Sequence, residues 1–158
     1  MTKLPSLLIV TVVLAVFAGC GGSSDDSDAT AESAAAKNAP TKAEFIKKAD
    51  ALCEKGNKEQ SEDVRAYQEK PNASIGILLN NIVLRHIEAN VKQLGELQAP
   101  VGDDEKVQAV VRANLEAVQQ GKEDIASLAN PESSPFVKGA TLAQQYGFEV
   151  CGRYASTR

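Results

Sequence analysis

Residues 41–158 carry four runs in which apolar side chains recur every three or four positions, and nowhere do apolar and polar residues alternate. That spacing is the pattern of helices burying one face, and it leaves no candidate for a half-buried strand. Thr41-Lys42-Ala43-Glu44 has the form of a capping box. It opens a run with Phe45, Ala49, Leu52, Gly56, Val64 and Tyr67 on one side. Pro71 closes this run, because proline disfavours helix in the residue before it. Asn72 is placed to cap a second helix with Ile75, Leu79, Ile82, Val83, Ile87, Leu94 and Leu97 inward. Asn72-Ala73-Ser74 also has the form of a glycosylation sequon. After Pro100-Val101-Gly102, Asp103 reads as the cap of a third helix. Its stripe is Val107, Val110, Val111, Leu115, Val118, Ile125 and Leu128, and Asn130-Pro131 stops it. Ser134-Pro135 reads as a cap and first helical position. The fourth helix then places Phe136, Ala140, Ala143, Gly147, Val150, Cys151 and Tyr154 on one face. Short connections between four such helices predict an all-α, up-down-up-down four-helix bundle.

Ahead of this region stands a different kind of sequence. Lys3 and an apolar stretch from Leu4 to Val16 end in Phe17-Ala18-Gly19-Cys20. As a helix, the stretch would reach only about 20 Å, short of the ~30 Å hydrocarbon core. A charged start, an apolar middle and small residues at the end are the parts of a secretory signal. The final four residues resemble the lipobox of bacterial lipoproteins, in which the cysteine is acylated and becomes the mature N-terminus. An ordinary signal peptide ending at Ala18 or Gly19 is the alternative.

The cysteine count bears on that choice. Three cysteines in an exported chain leave one over. If Cys20 carries lipid, Cys53 and Cys151 remain as a pair in a compartment that permits disulfides. The competing arrangement pairs Cys20 with a partner chain. Residues 1–19 are thus expected to be a lipoprotein signal peptide, and 20–40 a lipidated cysteine followed by a disordered tether. This tether has no large apolar residue and is rich in Gly, Ser, Ala and Asp. Residues 41–158 are enough for one helical domain.

A Cys53–Cys151 disulfide is expected to join the first and last helices of the bundle. In an antiparallel pair it would set a register with Phe136 beside Tyr67 and Ala140 beside Val64. Gly56 and Gly147, about a turn from the two cysteines, would admit the close approach that a disulfide requires. With no Trp and few aromatics, Ala, Val, Leu and Ile must supply most of the core.

The frames Phe45-Ile46-Lys47-Lys48-Ala49-Asp50-Ala51-Leu52-Cys53 and Tyr146-Gly147-Phe148-Glu149-Val150-Cys151-Gly152 resemble the opening and closing segments of small secreted helical lipoproteins from high-GC Gram-positive bacteria. The resemblance implies export, a helical domain and a disulfide, and carries no activity with it.

Chemistry-bearing motifs are absent from the sequence. His86 is the single histidine, so no site needing two histidines can form, and metal sites in general are disfavoured. No P-loop, Gly-x-Ser-x-Gly elbow, paired Glu-x-x-His or Cys-x-x-Cys-His motif occurs. No catalytic residue, metal ligand or cofactor is therefore assigned. Once Lys3 leaves with the leader, 16 basic residues stand against 21 acidic ones, which disfavours nucleic acid as a partner.

One constellation stands out. His86 lies on the apolar face of the second helix with Asn90 one turn on, and antiparallel registers place Asn114 and Asn57 at the same height. The layer is either a polar core satisfied within itself or the polar end of a small ligand pocket. Ile77, Leu84 and Val91 fall toward the polar side of the same helix, as an exposed patch or as part of a broad helix interface. These features predict a lipid-anchored protein on the extracytoplasmic face of the cell membrane. It would act as a non-catalytic binding or interaction module of the cell envelope. Its partners would be the membrane, through lipid on Cys20, and an envelope protein or small ligand. The alternative is a carrier of a small apolar or amphipathic ligand near His86.

Overall fold

A computed structural model describes residues 38–153. Cys20, the leader, the segment through residue 37 and Tyr154 lie outside the described residues. The described chain is all helical, with α1 Lys42–Gln68, α2 Ile75–Leu78, a π-helical turn Leu79–Val83 and α3 Leu84–Gly95. These are followed by α4 Asp104–Glu123, a 3-10 turn Ile125–Ala129 and α5 Val137–Tyr146. Because α2, the π turn and α3 run on without a break, the segments form four rods. Among the described residues there is no strand.

The start of α1 matches its sequence signal. Glu44 N donates to Thr41 Oγ1 at 3.3 Å while Thr41 N donates to Glu44 Oε2 at 2.8 Å, so two orphan donors are satisfied reciprocally. This contact also holds the Glu44 carboxyl below its ordinary range. Other caps differ from expectation. The second rod begins at Ile75 after Ser74, not at Asn72, because Lys70 to Ala73 turn back on themselves and Tyr67 Oη accepts the Ser74 N–H at 3.1 Å. Asp103 stands at the N-cap of α4 as expected, but its side chain makes no capping bond, since Lys106 and Tyr146 occupy its carboxylate. Ser134 does not cap the last helix either: Phe136 precedes its first residue, Val137, and Ser134 Oγ accepts from Phe136 N at 3.4 Å within the turn before it.

The π turn reorients the second rod. An α-helix extended backward from Leu84 would carry Asn80 and Asn81 on the inner face, three and four residues away. The additional residue of a π turn rotates that face by about 100°. Both asparagines are exposed as a result. Leu84 and Val91, on the nominally polar side of a uniform helix, are buried, whereas Ile75 and Ile77 are 69% and 48% exposed.

The rods pack in sequence order, with α3 against α1, α4 against α3 and α5 against α4. One buried cluster gathers Phe45 and Ala49 of α1, Val91 and Leu94 of α3, Val107, Val110 and Val111 of α4, and Ala143, Tyr146 and Phe148. A second, towards the other end, holds Leu84, Ala117, Val118 and Phe136, flanked by Ile87, Ile125 and Leu128. As the sequence composition requires, aliphatic residues make most of both.

Cys53 and Cys151 are bonded, with Cα atoms 5.4 Å apart. The bond does not join two helices, however. Gly147 adopts φ 112° and terminates α5, and both Gly147 N and Phe148 N donate back to Ala143 O. Cys151 therefore lies in a turn beyond the helix, and its bond to α1 fixes no register between α1 and α5. Phe136 accordingly packs in the second cluster instead of beside Tyr67. Gly56 and Gly147 do not make room for the disulfide either: Gly56 faces Asn90, and Gly147 serves the helix end.

Candidate functional site

The residues expected to share one polar layer are distributed over two helix crossings. Where α1 meets α3, the inner line of α1 passes through Ala49 and Gly56 to Asp63. His86, in the first turns of α3, places Nε2 2.8 Å from Asp63 Oδ2. The imidazole side chain is 17% exposed and the Asp63 side chain 53%, so the ring lies mostly inside while its acceptor meets water. Arg85 reaches the same oxygen at 3.9 Å.

One turn further along α3, Asn90 lies directly over Gly56. A Cβ added at Gly56 would fall 2.0–2.3 Å from the Asn90 amide atoms. The glycine is there because the asparagine fills the space of a side chain. Where α4 meets α5 the device recurs: a Cβ at Gly139 would fall 2.5 Å from the Asn114 amide. Asn114 Nδ2 donates to Val110 O at 2.9 Å, within its own helix. Asn57 is exposed, and its carbonyl accepts the Ser61 hydroxyl at 2.8 Å. His86 thus binds Asp63, Asn90 packs on Gly56, Asn114 packs on Gly139, and Asn57 faces solvent. In the expected layer, the missing side chains of Gly56 and Gly147 would have left space for a ligand; here the Asn90 amide occupies the space beside Gly56, and Gly147 stands at the end of α5 with Ile46 against it.

Two residues of these crossings escaped the sequence reading, although each left a signal. Asp63 follows Ala49 and Gly56 at seven-residue intervals, which puts it on the same face of α1. Gly139 is a helix-interior glycine, a residue that weakens a helix unless close packing needs it.

Charge–charge contacts link the rods elsewhere. Glu88 of α3 takes Lys122 of α4 at 2.6 Å and Lys92 of its own helix at 2.7 Å. Hydrogen bonds from Lys122 first, then Lys92, hold the Glu88 carboxyl down to about 2. Near the start of α1, Tyr146 Oη donates to Asp103 Oδ2 at 3.1 Å. Lys42 Nζ lies 4.5 Å from the centre of the same ring. Burial, with the bond to Asp103 adding to it, pushes the Tyr146 hydroxyl up to about 12. Lys106, ahead of Tyr146, keeps the Asp103 carboxyl below its usual range. Tyr146 and Phe148 have ring centres 4.9 Å apart, and each lies 6.0 Å from Phe45.

Two clefts among the described residues are open to solvent. One is lined by Glu88, Lys92, Arg112, Leu115, Glu116 and Gln119. The other is lined by Asn38, Ala39, Pro40, Glu44, Lys48 and Gln98, and neither includes His86. Among the described residues no three of His, Cys, Asp and Glu are grouped to hold a metal ion. No helix of the described residues is long and apolar enough to cross a membrane.

Compared with protein-family models, with curated proteins and with solved structures, the chain matches none of them.

Proposed function

We infer that this chain is a lipoprotein anchored through Cys20 on the extracytoplasmic face of the cell membrane, and that its helical domain is a non-catalytic interaction module of the cell envelope. The observation that carries this reading is the Cys53–Cys151 bond. A disulfide suits an oxidising compartment, and it takes up two of three cysteines. The remaining one stands at the end of an apolar leader in the lipobox-like Phe17-Ala18-Gly19-Cys20. Residues 20–40 then serve as the tether. The short connections and the sequential packing of the four rods support the up-down-up-down order.

Presentation of a helical surface to an envelope protein is favoured over ligand carriage near His86. The specific observation is that Asn90 fills the space beside Gly56 that the pocket near His86 would need. Mass spectrometry of the protein purified from its own membrane tests both parts. The expected spectrum shows diacylglycerol mass on an N-terminal Cys20, an intact disulfide and no small passenger. A mature chain starting elsewhere with an unmodified Cys20 refutes the anchor. A stoichiometric small molecule retained by the wild type and lost from His86→Leu refutes the preference for an interaction module.

A further inference from the structure

The ties from the segment after α5 to α1 are gathered at one place on that helix. The N–H groups of Glu149, Val150 and Cys151 all donate to the Asp50 carboxylate, at 2.9, 2.8 and 2.9 Å. Gly152 O accepts from the side chain of Gln144, and Arg153 N donates to Val150 O within the turn. Cys151 Sγ also lies 3.2 Å from Ala49 O, on the backbone of α1. Cys53, to which Cys151 is bonded, is three residues along α1 from Asp50, so both links to that helix lie on one helical turn. Beneath the turn Phe148 is 3% exposed, closing over Phe45 and Tyr146. Cys53 and Cys151 are each half-buried.

We propose that the turn from Gly147 to Arg153 is a redox-gated clasp: a dithiol reductant that opens Cys53–Cys151 releases it as a unit and uncovers the Phe45–Tyr146 surface, while the four rods stay folded. One thiolate of the reductant attacks a bridge sulfur and forms a mixed disulfide with that cysteine. The other cysteine leaves as a thiolate and takes up a proton. The second thiol of the reductant then displaces the first cysteine. Two electrons and two protons pass to the protein, and the reductant departs as its own disulfide. After reduction the turn keeps its bonds to Asp50, the Gln144 amide on Gly152 O and the 3.2 Å approach of Cys151 Sγ to Ala49 O, but no covalent tie, and the exposed Glu149 amide has water as an alternative partner. The second buried cluster, of Leu84, Ala117, Val118 and Phe136, includes no residue of the turn, so its packing remains. Such a subglobal opening is a cooperative unit smaller than the fold.

Hydrogen exchange of the full chain, oxidised and after dithiothreitol, tests the clasp. On reduction, residues 147–153 are expected to exchange at least tenfold faster. Leu84–Gly95 and Asp104–Glu123 are expected to stay within twofold of the oxidised protein. Cys151→Ser is expected to reproduce the reduced pattern without reductant. Unchanged protection of the turn, in the reduced protein or in that variant, overturns the proposal. So does faster exchange spreading through α3 and α4, which would make the bridge a staple of the whole fold.

Discussion

Replacing Asp50 by alanine removes one small side chain and strips three backbone donors of their acceptor. Hydrogen bonds to a charged group contribute about 1.5–3 kcal/mol each when water cannot substitute. Here the Glu149 amide is exposed and recovers its bond from solvent, whereas Val150 and Cys151 are half-buried. Counting those two donors at about 1–1.5 kcal/mol each gives a cost of about 2–3 kcal/mol for Asp50→Ala in the oxidised protein. For a domain of this size, about 4 °C of melting temperature accompanies each kcal/mol, so the midpoint should fall by about 8–12 °C. Asp50→Asn retains one acceptor oxygen but loses the charge, and should lie between wild type and alanine. Differential scanning calorimetry gives the global cost, and exchange of the 149–151 amides gives the local one. A midpoint within 2 °C of wild type, with unchanged exchange at those amides, would show that the carboxylate does not hold the turn.

Gly56→Ala forces a methyl group into the Asn90 amide and should cost about 1–3 kcal/mol by urea denaturation, despite alanine's better helix propensity. The double variant Gly56→Ala/Asn90→Ala should recover most of that loss; additive costs would refute the packing account. The Glu88 carboxyl, ordinarily at 4.5, sits at about 2 in the folded protein. A depressed folded-state value means that the ion pairs stabilise above about pH 4.5 and cease to do so as pH falls toward 2. After allowance for solvent at Lys92, about 1 kcal/mol should vanish across that window in wild type and not in Glu88→Gln; parallel acid curves would contradict it. His86→Leu should alter stability by less than about 1 kcal/mol, because the half-exposed Asp63 turns to water. A loss above 3 kcal/mol in chemical denaturation would mark His86 as a core determinant.

Features set by local chemistry were readable before the fold was seen. The Thr41–Glu44 box and the breaks at Pro71 and Pro100 depend on residue type and spacing alone, and the pairing of Cys53 with Cys151 follows from the cysteine count once Cys20 is set aside for lipid. What escaped was decided by competition between neighbours. Nothing in the apolar periodicity of 75–97 announces a π turn, since it becomes necessary only when Asn80 and Asn81 would otherwise meet α1. In the sequence Gly147 falls on the apolar stripe as an interior small residue, yet a glycine followed by an apolar residue is also the ordinary end of a helix. That second use moved Cys151 off α5 and dissolved the expected seam. The polar layer failed for a related reason. Paired numbering put His86 level with Asn114, but Asp63 and Val110 O lay nearer and took up the bonds. Heights along rods are legible from sequence, whereas the choice among several acceptors at one height requires the geometry.

The bridge from α1 to the closing turn also has a mechanical meaning. A load applied through the chain on either side of Cys53 and Cys151 passes across the sulfur–sulfur link and bypasses the loop of 98 residues that it closes. While the bridge is intact, every rod from α2 to α5 is shielded from tension, and only the part of α1 before Cys53 lies in the loaded path. Breaking that one covalent contact would transfer the whole load to the helices.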